Sequence, residues 1–225
     1  MPAAQQEPAA GRPRRGMAEK RQAITRAART VFARDGFSRA SVDAIAAEAG
    51  VSKRTIYNHF QDKEELFRSV VIESAGSVTT WHRMMVERHL GKITDLERDL
   101  TSFAFDWASP PPEFADHFAL VRQIHAEASH LEPAVIEAWQ EAGPRPAFRQ
   151  LAHRLGELAE EGLLDIDDAG VAARHFALLA VSDVSQGSFF GAVKMPETEI
   201  DAIVSGGVHA FLRLYGPAGA ARRTP

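Results

Sequence analysis

Apolar positions recur at three- and four-residue steps almost from the start of the chain. Ile24, Ala27, Ala28, Val31 and Phe32 share one face of a helix predicted from about Met17, with charged residues on its other faces. Gly36 stands where that helix should stop. Ser41 is placed to cap a second, short helix with Ala44, Ile45, Ala46 and Ala49 on its inner face, and Gly50 ends it. Ser52 caps a third, very short helix, predicted from Lys53 to about Phe60. Asp62 caps a fourth that runs long, its apolar side carried by Leu66, Val70, Ile72 and Val78 towards Trp81 and Met85.

Further helices are predicted over residues 93–107, 113–129, 134–142, 146–162, 168–190 and 197–215. Pro110, Pro111 and Pro112 close the first of these, and Gly216 and Pro217 close the last. No segment alternates as a strand does between turn residues, and no internal repeat is visible. The expected fold is therefore all-α. A three-helix bundle containing a helix-turn-helix over residues 17–63 precedes a larger helical domain over residues 64–216. Residues 1–16, rich in Pro, Ala, Gly and Arg, read as a basic arm without fixed structure, and residues 217–225 as a tail of the same kind.

Composition narrows the function. The 225 residues are 45% hydrophobic and 25% charged, the balance of an ordinary globular chain with a sizeable core. There is no cysteine, which excludes disulfides, thiolate metal sites and a cysteine nucleophile. No run approaches the roughly 18 apolar residues of a membrane span, and no apolar signal core follows the first basic residues, so a cytoplasmic protein is expected. The net charge of −4 hides an asymmetry. Residues 1–60 hold 11 Lys and Arg against 5 Asp and Glu, whereas the remainder holds 15 against 25. A basic front on an acidic body suits a chain whose front alone meets a polyanion.

Residues 41–63 concentrate the chemistry. Two short helices crossing steeply need a tight turn, which Gly50 permits, and a small residue at the crossing, which Ala46 supplies. Val51 and Ile56 fill the wedge between them, with Ile45 beneath. The second helix opens Ser52-Lys53-Arg54-Thr55, and polar residues on the first turn of such a helix meet base edges in the major groove. Arg54 can grip guanine O6 and N7 with two bonds, Lys53 less rigidly, and Thr55 can offer a hydroxyl or a methyl. Tyr57, Asn58 and His59 lie within reach of phosphates. Ser41 and Lys63 sit at helix N-termini, where free backbone N–H groups also attract anions.

Several stretches together resemble the DNA-binding domain of the TetR family of bacterial transcriptional regulators. They are Val31-Phe32-Ala33-Arg34-Asp35-Gly36-Phe37, Ile45-Ala46-Ala47-Glu48-Ala49-Gly50-Val51-Ser52, Thr55-Ile56-Tyr57-Asn58-His59-Phe60 and Lys63-Glu64-Glu65-Leu66-Phe67, and the resemblance covers residues 17–68. It implies that Lys53, Arg54 and Thr55 read bases, that Ser41, Tyr57, His59 and Lys63 hold phosphates, and that Asn58 touches either. Ser41 stands where the family often has Thr, which keeps the hydroxyl. The implied partners are a palindromic double-stranded operator, a second copy of the chain and a small-molecule effector. The implied activity is repression relieved by that effector.

The larger domain resembles the family only in helical content and length. By resemblance its last two helices, over 168–190 and 197–215, form a four-helix bundle with the second copy. Phe176, Leu179, Val184, Ile200, Ile203, Val204, Phe211 and Leu214 leave apolar area to cover, either by that copy or by the rest of the same chain. Small residues at Ala180, Ser182, Gly206 and Gly207 let helices approach. Candidate effector contacts are Trp81, Met85, Phe103, Trp107, Phe118, His125, Trp139, Phe148, Phe176 and Phe189. Aromatic residues at helical spacing are also what a plain core looks like, and spacing does not separate the two.

His125, Glu127 and His130 lie close in sequence, but with no second ligand cluster they make no metal signature, and neither a metal nor another cofactor is expected. No G-x-S-x-G, G-x-x-x-x-G-K or H-E-x-x-H pattern occurs, so a binding protein is expected rather than an enzyme. A protein-interaction module that lost DNA binding would be expected to shed the basic and hydroxyl residues of 52–59, and this chain keeps them.

Overall fold

The computed structural model describes residues 12–217. Residues 1–11 and 218–225, which take in most of the expected arm and tail, lie outside the described residues. Helix α1 spans Arg12–Arg39, beginning five residues before the Met17 that periodicity suggested. Its Pro13 falls in the first turn, where a missing N–H costs nothing. The helix breaks at Gly36, whose φ of 78° and ψ of 168° only glycine adopts cheaply.

Helix α2 (Val42–Ala49) is capped by the Ser41 hydroxyl, which accepts from the Ala44 N–H, and is closed by left-handed Gly50. Helix α3 (Lys53–Tyr57) is shorter than predicted. Asn58 ends it, and the N–H groups of His59 and Phe60 both turn back to the Ile56 carbonyl. Helix α4 (Lys63–Met85) starts on the Asp62 cap and continues as one wide turn over Val86–Leu90. Its buried stripe is Leu66, Phe67, Val70, Val71, Ser74 and Ala75. Ile72, expected on that stripe, is exposed, because it lies one residue beyond the i, i+4 pairs that face inwards.

Helices α5 (Leu96–Ala108), α6 (Ala115–Glu127), α7 (Pro133–Ala142) and α8 (Pro144–Glu160) match their predicted positions to within three residues at either end. The helix expected over 168–190 is two. Helix α9 (Ala169–Ala180) breaks at Val181, and α10 (Ser182–Gly187) follows. A turn then carries Phe189 and Phe190 at φ of 49° and 50°, a conformation that costs a bulky residue roughly 1–2 kcal/mol. Helix α11 (Glu197–Tyr215) closes the fold. Among the described residues there is no strand.

Two apolar clusters result. The first joins Ile24, Phe32, Ile45, Ile56 and Phe67 of the helix-turn-helix end to Leu120 and Ile124 of α6 and Val135 of α7. The second centres on Leu100, Phe103, Leu151, Phe176, Val208 and Phe211. Phe176, Val184, Val204 and Phe211, read from the sequence as candidate interface, are buried here within one chain. Leu178 and Leu214 stay exposed.

Helix α11 crosses α9 closely at Gly207. A Cβ there would lie 2.1 Å from the Leu179 carbonyl oxygen and 2.6 Å from the Ala180 Cα. Gly207→Ala must push these helices apart and should cost about 1–3 kcal/mol, lowering the thermal midpoint by roughly 2–4 °C for each kcal/mol. Gly206→Ala, which meets nothing within 4 Å, should leave the midpoint unchanged or raise it. Paired thermal melts of the two variants check this.

Candidate nucleic-acid interface and ligand cavity

Caps and turns set the outer face of α2 and α3. Ser52 caps α3 by accepting from the Thr55 N–H at 3.1 Å, and its hydroxyl lies 2.8 Å from that of Thr55. Because the cap fixes the first turn, Lys53 and Arg54 project from it, both exposed. Lys53 Nζ donates to Asp43 Oδ2 at 3.0 Å across the two helices, and that hydrogen bond holds the ammonium pKa above its ordinary value. Tyr57 and Asn58 are exposed, and His59 is half-buried. The His59 carbonyl accepts from Arg21 Nη1 at 2.8 Å, and the Arg21 guanidinium sits 4.1 Å over the Phe60 ring. Ser41 is exposed at the start of α2 while its oxygen serves the cap.

Lys63 differs from the others. Its ammonium donates to the carbonyls of Phe37 and Ala40 at 3.0 and 3.2 Å, 4.4 Å over the Phe37 ring. It therefore fastens the end of α1 to the start of α4, using two of its three N–H donors. A second tie runs from the larger domain. The Glu127 carboxylate at the end of α6 accepts from both the N–H and the hydroxyl of Ser38, at 2.9 and 2.7 Å. It packs so near Gly36 that any Cβ there would collide with it.

A cavity of about 430 Å³ opens between α4, α5, α6, α7, α8 and the α9–α10 break. That is the size of a small-molecule site. Of the aromatic candidates, Trp81, Trp107, Phe118, His125, Trp139 and Phe148 line it. Met85, Phe103 and Phe176 do not. They are buried in the second cluster, and their spacing in sequence cannot distinguish that position from a wall. Phe189 points outwards, 66% exposed, and its neighbour Phe190 takes the wall position instead. The left-handed turn after α10 makes that exchange. Arg122 Nη1 clamps the Phe190 carbonyl at 2.7 Å, and the ring stacks on His125 at 5.2 Å.

The sequence reading missed His82, His117, Gln140, Ser182 and Gln186 in the wall. Polar residues scattered along four helices carry no local signal of convergence. Among the described residues lining the cavity, none is Asp, Glu, Lys or Arg. His125 Nδ1 must be the protonated nitrogen, because it donates to the Val121 carbonyl at 2.8 Å. His117 Nδ1 lies 2.9 Å from the Ser74 hydroxyl of α4. Burial, aided by the Arg29 charge, lowers the His117 pKa to about 4. Burial also lowers that of His82 to about 4, weakly opposed by Gln150. Among the described residues no group of three or more His, Asp or Glu is placed to hold a metal ion. Nor is any helix among the described residues long and apolar enough to cross a membrane.

Both rings are neutral at pH 7. The unfolded chain takes up their protons near pH 6.5 and the folded chain only near 4, so folding stability is fully present above about 6.5 and falls as the pH drops towards 4. For His82, 2% exposed, the loss is on the order of 3 kcal/mol. Urea unfolding at pH 7 and pH 4.5 should show the loss, and His82→Phe should remove part of the slope between them.

Relatives place the chain. Residues 24–70 match the family model described as bacterial regulatory proteins, tetR family. Residues 114–217 match that of the AefR-like transcriptional repressor C-terminal domain. The repressor AcnR of Corynebacterium efficiens is 35% identical over 91 residues, 40% of this chain and 45% of that protein. The repressor BepR of Brucella suis is 43% identical over 54 residues, 24% and 26% of the two chains. The chain thus spans less than half the length of these curated relatives. Solved structures match more fully. A TetR-family regulator from Mesorhizobium loti superposes with a TM-score of 0.79 at 28% identity, over 89% of this chain and 98% of that one. The flavonoid-responsive regulator FrrA does so with a TM-score of 0.65 at 29% identity, over 89% and 99%. Regulators of this kind are DNA-binding transcription factors rather than enzymes. With the helix-turn-helix, the cavity-bearing helical domain and both family models in place, the chain belongs to the TetR family of bacterial transcriptional regulators.

Proposed function

We propose that this protein is a homodimeric, sequence-specific repressor released from a palindromic operator by a small apolar or aromatic ligand. One observation carries the reading. Two of the helices that line the cavity, α4 and α6, also build the core beneath the Lys53–Arg54–Thr55 turn. A ligand that favours one arrangement of α4 and α6 therefore biases where α3 points, by as much as its affinity differs between the two arrangements. The similarity to FrrA, a flavonoid-responsive regulator, agrees with an aromatic effector.

In this reading Lys53, Arg54 and Thr55 read bases, with Ser52 beside them, Ser41, Tyr57, His59 and the third N–H of Lys63 hold the phosphate backbone, and Asn58 touches either. Two copies related by a two-fold axis present two such turns about one or more helical repeats apart, roughly 34–36 Å each. The second copy packs on α9 and α11, where Leu178 and Leu214 are each 63% exposed. In this reading residues 17–63 form the DNA-binding unit and residues 64–216 the effector-binding and dimerisation unit.

Selection of bound duplexes from a random pool at two salt concentrations tests the reading. A palindromic motif is expected, and retention without any motif, lost as salt rises, points to an interaction module instead. Against the selected operator, Arg54→Ala should cost about 1–3 kcal/mol and relax one base position, whereas Lys63→Ala should weaken all duplexes alike and lower the salt slope by about 1. Equal losses on all sequences for Arg54→Ala overturn its base-reading role. Leu178→Glu combined with Leu214→Glu should shift the sedimentation coefficient towards monomer and weaken the operator complex. A dimer unaffected by both substitutions places the interface elsewhere.

A further inference from the structure

Two residues of the cavity wall keep buried polar atoms without a partner, His82 at both ring nitrogens and Trp139 at Nε1. His82 is 2% exposed, and neither ring nitrogen has a hydrogen-bond partner within the protein. A neutral imidazole carries one donor and one acceptor, and leaving such groups buried and unpaired costs the desolvation of each with nothing in return. Folds seldom keep that cost without a use for it. The ring lies edge-on to Trp107 at 4.6 Å and to Phe103 at 5.5 Å, so its neighbours supply packing and no polar contact.

Gln150 Oε1, also buried and without a partner, belongs to the same neighbourhood, since Gln150 is the one side chain that opposes the fall in the His82 pKa. An amide oxygen accepts and cannot donate. A small adjustment can therefore pair the imidazole N–H with Gln150, and no adjustment within that pair serves the other ring nitrogen from the same oxygen. What remains is an acceptor in the wall of an apolar cavity, needing a donor. His82 is itself one of the residues that line the cavity, so a molecule bound there lies against its ring. The donor must come uncharged, because no described lining residue is Asp, Glu, Lys or Arg to compensate a buried ion.

Resting on the effector reading above, we propose that the cavity takes an uncharged aromatic ligand bearing a hydroxyl group, and that His82 recognises it by accepting the hydroxyl proton in a hydrogen bond. The remaining surface of such a ligand meets Trp81, Trp107, Trp139, Phe118 and Phe148. An ether of the same shape accepts and does not donate, so it leaves the His82 nitrogen unpaired, whereas the unpaired Trp139 Nε1–H of the same wall can serve the oxygen of either molecule alike.

Isothermal titration of the full chain at pH 7.5 tests this with three probes. They are 2-naphthol, 2-methoxynaphthalene, and choline as a cation that aromatic walls can hold without a hydrogen bond. The expected result is 2-naphthol bound at least about tenfold more tightly than its methyl ether, with choline unbound. In His82→Phe, which keeps a ring between Phe103 and Trp107, that preference should fall to within about twofold while the ether binds as before. Circular dichroism verifies the fold of the variant, and His82→Leu replaces it if the fold is lost. The preference within the wild-type chain needs no variant at all.

Equal binding of the two naphthalenes to the wild-type chain overturns recognition of a hydroxyl and leaves an apolar effector standing. A preference that survives His82→Phe overturns the role of His82 alone. Choline binding in place of 2-naphthol, or binding of none of the three, overturns both this inference and the aromatic-effector reading.

Discussion

Helix α6 is shared between the helix-turn-helix core and the cavity wall, and the rest of the molecule is arranged around that fact. Leu120 and Ile124 are buried among the helix-turn-helix residues, while Val121 and His117 of the same helix face the cavity. Its last residue, Glu127, accepts two hydrogen bonds from Ser38 beside the break in α1, and Arg122 holds the turn that puts Phe190 in the cavity wall. Close-packed interfaces do not deform smoothly, so a helix locked on both sides moves as a unit or not at all. Nothing longer-ranged than direct packing is needed for the cavity to be felt at α3.

Electrostatics divide along the same line. Basic residues gather at the front of the chain, where water and phosphate can solvate them, and the Lys53–Asp43 pair on the outer face is an exposed contact of the weak kind. Inside the larger domain charge is kept away from the cavity. Its polar lining is hydroxyls, amides and imidazoles, and burial keeps His82 and His117 neutral. Such a site discriminates by hydrogen-bond direction and shape rather than by net charge.

The far end of the molecule carries its own strain. The break at Val181 and the two left-handed phenylalanines give up helical hydrogen bonding and backbone comfort together. In exchange, one aromatic ring joins the cavity wall and its neighbour stands exposed.

Local rules settled much of this from the sequence alone. Ser41, Ser52 and Asp62 cap helices where their spacing placed them, Gly36 and Gly50 break the backbone where it must turn, and the periodicity of Ile24, Ala28, Val31 and Phe32 buried the face it marked. The polar turn from Ser52 to Thr55 was legible for the same reason, since a cap and one helical turn fix where its side chains go. What tertiary structure alone decided depends on contacts between residues far apart in the chain. Spacing could not tell Phe103 and Phe176, which fill the core, from Trp107 and Phe148, which line the cavity. It could not place Phe190 inside and Phe189 outside, because a left-handed turn sets that choice. It could not foresee that Lys63 would reach the Phe37 and Ala40 carbonyls, or that an ordinary histidine at position 82 would be buried without a partner. Periodicity reports which face of a helix is inside, and only the packing of several helices decides whether that inside is filled or left open.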